Sequence, residues 1–360
     1  MNRRPARSFL PTTAVMEMTY RCNHACLFCS CPWERPDGSF DIRGEMEPDR
    51  WKSVVSMLCD LGISSIAFTG GEPLLKEGLA GIIAHAAGCR TERIDTVDGR
   101  LVSNIVPPAL YLLSNGRLVD DTVLALCAEH GVTLSMSLPG LSTFRQHTGF
   151  DTADHVLECF GRARELGIRT VANITVTALN LSELRRTIAA ALIAGAGQVL
   201  LNRFLPGGRG LANAERLSLR PSDVRDILDT ADEVLTRAGR FGTLGTEIPV
   251  CLADPSAYSS IRAGTQCSAA RQFFVIGPSG FVRVCNHSEV RLCHIEDYPA
   301  LKLDPYWTTF TQKRFMPPEC GGCDRRFDCD AGCREAAHIV GGSVDSPDPL
   351  LRDCPVPWSP

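Results

Sequence analysis

The segment Arg21-Cys22-Asn23-His24-Ala25-Cys26-Leu27-Phe28-Cys29 sets three cysteines at C-x3-C-x2-C spacing behind a short β-rich run, 14–18. At the next β-rich run, Ser64-Ser65-Ile66-Ala67-Phe68-Thr69 leads directly into Gly70-Gly71-Glu72-Pro73. Both motifs stand at strand exits, where open α/β sheets present their ligands. Three thiolates can hold three irons of a cubane. A cubane needs four ligands, so one iron is left open to an exogenous group. The same cysteines can equally form a zinc site that borrows Cys31 or His24. In the second motif the two glycines allow close backbone approach to a ligand, and Pro73 biases Glu72 towards an extended conformation. Its carbonyls and carboxylate are then free to accept from an ammonium group.

Outward from these motifs, 16–206 alternates β-rich runs with amphipathic helical stretches, the pattern of parallel strands joined by helical crossovers. Strands are expected at 14–18, 64–69, 110–113, 133–138, 170–176 and 198–204, and helices at 48–61, 118–130, 151–166 and 182–194. Several helices end near glycine, at Gly62, Gly131 and Gly167. Six strand–helix units fall short of the eight of a closed barrel, so the fold class is α/β, a partial (β/α)6 barrel with its ligand at the strands' C-terminal ends. Residues 89–108, with a turn at Asp98-Gly99, read as an inserted hairpin that either caps the barrel or touches a substrate. A helix over 221–238 leads to a region rich in Cys, Gly, Pro and Asp, as expected of a small fold organised around metals. The expected organisation is an N-terminal tail 1–11, the barrel 12–215, a helical connector 216–265 and a cysteine-rich domain 266–360.

The chain has 360 residues, 44% of them hydrophobic, and a formal net charge of -4. That is enough for a sizeable core plus a small second domain. No long basic run points to nucleic acid or an anionic membrane. No apolar run is long enough for a membrane span, and 8–15 is too polar and Pro-broken for a signal-peptide core, so a cytoplasmic protein is expected. Seventeen cysteines are then hard to explain as disulfides in a reducing compartment, and metal binding becomes the leading account.

The cysteine loop followed by Gly-Gly-Glu-Pro resembles the radical SAM superfamily over residues 10–210. The resemblance implies a 4Fe-4S cluster on Cys22, Cys26 and Cys29, whose fourth iron is chelated by the amino and carboxylate groups of S-adenosylmethionine. One-electron reduction would release methionine and a 5′-deoxyadenosyl radical that abstracts a substrate hydrogen. It further implies that Phe28 packs on the adenine and that Gly70, Gly71, Glu72 and Pro73 hold the methionine amino group. Ser114, Asn115 and Gly116, and Ser137 with Arg145, correspond to positions that contact the ribose or carboxylate; Asn173 and Arg203 are similar cases. Pro139 stands where many relatives have Asp, and Ser137 and Arg145 also read as a strand-end and a surface residue.

Near the C-terminus, twelve residues separate Cys267 from Gly280, and four separate Gly280 from Cys285. Then follow Cys320-x2-Cys323-x5-Cys329-x3-Cys333 and Cys354. This pattern resembles the SPASM extension of radical SAM enzymes. It implies two auxiliary 4Fe-4S clusters, the outer on Cys320, Cys323, Cys329 and Cys354 and the inner on Cys267, Cys285 and Cys333. With the N-terminal site the expected cofactors are three 4Fe-4S clusters and S-adenosylmethionine. The inner cluster's fourth ligand is Cys251, Cys293 or none; an open iron could bind a substrate heteroatom, whereas a fully ligated cluster could only pass electrons. The same cysteines also permit structural zinc. Cys31, Cys59, Cys89, Cys127 and Cys159 read as small buried hydrophobes, and His147 and His287 as satisfied or surface histidines.

The resemblance implies a maturase acting on a ribosomally made precursor peptide through a crosslink, thioether or epimer, with a donor such as ferredoxin or flavodoxin. With no long segment before Thr12, leader recognition is expected to fall to a separate protein or to the hairpin. The alternatives are a small-molecule dehydrogenase or cofactor-biosynthesis enzyme, a sulfatase-maturing type of formylglycine formation, and a zinc-stabilised binding module.

Overall fold

The computed structural model describes residues 8–31 and 42–351. Its first half is a sheet of parallel strands wrapped by helices. In chain order it runs β1 (Thr13–Glu17), α1 (Pro48–Asp60), β2 (Ser65–Thr69), α2 (Leu79–Gly88), β3 (Thr91–Val97), β4 (Arg100–Val106), β5 (Ala109–Ser114), α3 (Asp121–His130) and β6 (Thr133–Ser137). It continues with α4 (Phe144–Thr148), α5 (Ala153–Glu165), β7 (Thr170–Val176), α6 (Leu184–Ala194) and β8 (Gln198–Arg203). The helices form for local reasons. In α1 the buried residues Trp51, Val54, Val55, Leu58 and Cys59 recur at helical spacing on one stripe. Each large apolar side chain so buried contributes ~1.5–3 kcal/mol. α3 begins where the Asp120 side chain accepts from Val123 N at 2.9 Å and ends at Gly131, whose φ of 64° suits glycine.

The six strands expected from the sequence lie side by side in the order β8-β7-β6-β5-β2-β1, all parallel. The sheet does not stop there. The segment 216–265, expected as a helical connector, holds the helix α9 (Asp223–Ala238), preceded by the short helices α7 (Gly208–Ala212) and α8 (Ala214–Leu217). It also adds β9 (Gly242–Leu244) and β10 (Ile261–Ala263) in parallel beyond β8. At the opposite edge β11 (Phe273–Ile276) pairs in parallel with β1 and carries the antiparallel β12 (Val282–Arg283). The cysteine-rich region, which also holds α10 (Pro305–Thr311) and α11 (Arg334–Gly341), is thus built onto the barrel's own sheet. A buried ion pair between Glu17 on β1 and Arg283 on β12 ties this seam. β9 to β12 have two to four residues each, too few for a hydrophobic period to register.

β3 and β4 pair in antiparallel register from Thr91↔Val106 to Val97↔Arg100, separate from the main sheet. The two-residue connection, Asp98 at φ 49° and Gly99 at φ 73°, has the positive dihedrals of a tight hairpin turn. Among the described residues no helix is long and apolar enough to cross a membrane.

Candidate functional site

The C-terminal ends of the parallel strands open into one cavity of about 450 Å³. It is lined by the cysteine loop (Cys22, His24, Cys26, Phe28, Cys29), by Gly70 and Gly71 after β2, and by Ser114 and Asn115 after β5. It is also lined by Cys267, Cys285, Cys333 and Glu335. The N-terminal and inner C-terminal cysteine sets therefore share one chamber. A second cavity, of about 260 Å³, is lined by Cys251, Cys320, Cys323 and Cys329. Cys354 lies outside the described residues.

The cysteine loop is fixed by backbone contacts rather than by regular structure. Ala25 N and Leu27 N donate to the carbonyls of Thr148 and His147 in α4, at 3.2 and 2.8 Å. Arg117 donates to Asn23 O at 2.8 Å and lies over the Phe150 ring, on which His24 stacks at 5.2 Å. Burial pushes the Cys22 thiol up to about 11, with the charges of Glu72 and Cys29 adding to it. Burial, with Cys29 and Cys22 as neighbours, holds Cys26 well above the ordinary thiol value. Thiols that resist ionisation, as Cys22 and Cys26 do beside Cys29, need a cation to hold them as thiolates, and an iron–sulfur cluster fits that donor set. Among the described residues no group of three His, Cys, Asp or Glu side chains is arranged to hold a metal ion.

Several expected site residues turn out to have a different task. Gly70 and Gly71 line the cavity, but their need to be glycine comes from the neighbouring chain. A Cβ on Gly70, where φ is 141°, would meet Thr19 O at 2.4 Å, and one on Gly71 would meet Arg21 O at 2.2 Å. Glu72 is engaged within the fold. Its buried carboxylate accepts from Leu74 N at 3.1 Å, Ser114 Oγ at 2.9 Å and Asn115 N at 2.8 Å, binding the β2 exit to the β5 exit. Pro73 is buried at the start of a short 3-10 turn behind it. Asn115 faces the cavity and donates to Asn23 Oδ1 at 2.6 Å, joining the β5 exit to the cysteine loop. Arg145 is exposed on α4 and does not line the cavity, since the loop before it is anchored inward by Glu183, which accepts from Ser142 N at 2.9 Å and Thr143 N at 3.0 Å. Phe28 and Ser137 do line it, with the Phe28 ring 5.8 Å from that of His147.

His147 is fully buried and satisfied by Thr143 O and Thr177 Oγ1 at 3.0 and 2.9 Å. His287, held down to about 4 by burial, stays neutral and donates to Pro206 O at 2.9 Å from the cavity wall. Cys59, Cys127 and Cys159 are core residues and Cys89 packs against the same core. Cys31 is a correction. It sits beside Cys29 on the cavity wall, where burial and that contact hold its thiol well above the ordinary value. The carboxyl-terminal candidates for the inner fourth ligand also fail to meet it. Cys251 stands in the second cavity with the outer set, and Cys293 is half-buried against the core and lines neither cavity.

Ser135, Thr175, Asn202, Thr246, Glu247 and Glu335 also line the chamber and do not stand out in the sequence. A signal exists for some of them. Ser135 with Ser137 and Asn173 with Thr175 are polar pairs at i, i+2, so each pair shares one face of its strand. The Ser135 hydroxyl is buried there without a partner. Arg203, another wall residue, forms a buried ion pair with Asp348 at 2.5 Å, and the same Asp348 oxygen accepts from Cys333 N at 2.7 Å. A barrel strand is thereby clamped to the inner cysteine set. Asp348→Ala strands the guanidinium in the interior and is expected to cost ~3–5 kcal/mol, read as a fall in the denaturant midpoint; an unchanged midpoint contradicts the clamp.

Residues 16–191 match the family model described as the radical SAM superfamily. The chain is 26% identical over 353 residues to a PqqA peptide cyclase of Xanthomonas campestris, covering 96% of this chain and 88% of the relative. It is likewise 26% identical over 358 residues to a PqqA peptide cyclase of Granulibacter bethesdensis, with the same coverage. In fold it is similar to Streptococcus suis SuiB bound to the precursor peptide SuiA, with a TM-score of 0.72 at 15% identity over 96% of this chain and 76% of that one. It is also similar in fold to anSMEcpe with bound AdoMet and a peptide, with a TM-score of 0.68 at 17% identity over 95% of this chain and 94% of that one.

Proposed function

We propose, from the match of residues 16–191 to the radical SAM superfamily model, that this chain is a peptide maturase that abstracts a hydrogen from a ribosomally made peptide and closes a crosslink within it. One observation carries the proposal: the N-terminal cysteine loop and the inner C-terminal cysteines line one chamber, whose wall also carries the polar side chains of Ser135, Ser137, Asn173, Thr175 and Asn202. A single substrate carbon held there can lose a hydrogen at one end and an electron at the other. The relatives alignable over 96% of this chain are named as peptide cyclases, and that supports a peptide over a small alcohol or amine.

In this reading Cys22, Cys26 and Cys29 hold a 4Fe-4S cluster, and S-adenosylmethionine lies over Phe28, Gly70, Gly71, Asn115 and Ser137. Together, when bound, these groups supply a 5′-deoxyadenosyl radical by one-electron cleavage of the sulfonium. The chain's own residues orient and exclude. The Glu72 carboxylate fixes the two loops that frame the ligand, and the chamber walls keep water from the carbon radical. Cys267, Cys285 and Cys333 would hold an inner auxiliary cluster to take the second electron. Cys320, Cys323, Cys329 and Cys354, with Cys251 beside them, would hold an outer one facing a donor such as ferredoxin or flavodoxin.

The test is anaerobic reconstitution with iron and sulfide, followed by dithionite, S-adenosylmethionine and short peptides encoded beside the gene. The reading predicts 5′-deoxyadenosine together with a peptide lighter by two hydrogens. Nucleoside formed only with alcohols or amines would move the assignment to a small-molecule dehydrogenase.

A further inference from the structure

The inner auxiliary site has three cysteines for a cluster of four corners, and neither spare cysteine reaches it. Glu335 does. It stands two residues after Cys333 in the first turn of α11, lines the chamber with Cys267, Cys285 and Cys333, and is only 2% exposed. Its place on the wall shared with Cys267 and Cys285, two residues from Cys333, sets it beside that group. One carboxylate oxygen, Oε1, accepts from Tyr306 Oη at 2.8 Å. The other, Oε2, is buried with no hydrogen-bond partner; His338 Nδ1 stands 3.5 Å away and the Ser288 side chain flanks it. An unpartnered buried carboxylate oxygen is costly unless a cation meets it. The other carboxylates near these cysteines are engaged: Glu247 accepts from Ser268 N at 2.9 Å, Asp330 from Cys267 N at 2.8 Å and Asp348 from Cys333 N at 2.7 Å.

We propose that the Glu335 carboxylate is the fourth protein ligand of the inner auxiliary cluster, oriented by the Tyr306 hydroxyl as an outer-shell partner. The inference rests on the reading of two auxiliary clusters given above. Its consequence is functional: the inner cluster has no vacant iron for a substrate heteroatom and serves electron transfer. Carboxylate ligation also raises its potential relative to an all-thiolate cluster, because thiolate donates more charge to iron.

The experiment uses the full-length chain with Cys22, Cys26 and Cys29 all replaced by alanine, so that only auxiliary clusters contribute. Mössbauer and electron paramagnetic resonance spectra are recorded with and without Glu335→Gln, Glu335→Cys and Glu247→Gln. Glu335→Gln is expected to lose one iron per chain on mild oxidation and to show a three-iron signal. Glu335→Cys is expected to restore the four-iron form at a lower potential, and Glu247→Gln to leave the spectrum unchanged. Four-iron spectra and a potential unaltered by either Glu335 substitution overturn the proposal, as does a response to Glu247→Gln alone. A triple-alanine background holding no auxiliary iron would instead sink the two-cluster reading itself.

Discussion

Cys26→Ala is expected to abolish 5′-deoxyadenosine formation in the reconstituted enzyme, while iron in the C-terminal region is retained. Cys26 is the middle of three neighbouring thiols whose charges disfavour one another's ionisation. Its loop is pinned by α4 carbonyls and Arg117, through contacts that do not involve the Cys26 side chain. The substitution therefore removes a donor from a loop that keeps its shape. Outer-shell changes around metal sites cost ~10–100-fold; loss of a ligand is expected to exceed that and leave no measurable turnover. Iron analysis and nucleoside chromatography on the same sample read both halves of the result. Residual cleavage within tenfold of the parent would show that the loop does not carry the reacting cluster.

Gly71→Ala is the second large effect. Its new Cβ would sit 2.2 Å from Arg21 O and 2.6 Å from Tyr20 O, both backbone atoms just ahead of Cys22. No rotamer relieves a clash of backbone with Cβ, so the β2 exit and the cysteine loop must separate. Overpacking of this kind costs ~1–3 kcal/mol, and if it falls on the assembled site, cleavage slows by roughly 10–100-fold. Gly88→Ala provides the comparison, because a Cβ added at that position meets open space and the backbone there has no unusual φ. It should leave the rate unchanged. Equal rates for the two variants would mean that the Gly-Gly turn does not hold the cysteine loop in place.

The barrel is legible in the sequence because its signals are local. The strands β1, β2 and β5 to β8 and the helices between them each span enough residues for period-2 or helical patterning, and Gly131 marks a helix end as its φ requires. What escapes the sequence depends on contacts far apart in the chain. β11 joins the barrel edge at β1, more than two hundred residues upstream, through four residues. Arg203 meets Asp348 across 145 residues, a pairing no spacing rule reports. The surroundings of Glu72 and Arg145 are hidden for a related reason: Glu72 accepts from donors at the β5 exit, and the loop before Arg145 is held by Glu183. Glu335 is silent in the sequence because its meaning depends on Cys285 and Tyr306 arriving from other segments.

The central claim is that Cys22, Cys26 and Cys29 share one cluster whose fourth iron is free for S-adenosylmethionine. Electron–nuclear double resonance on the reduced full-length enzyme, loaded with S-adenosylmethionine carrying a 15N-labelled amino group, addresses it directly. The account predicts a 15N coupling that disappears in Cys26→Ala. An N-terminal cluster that shows no coupling, or one whose fourth iron is held by a protein atom, would contradict it.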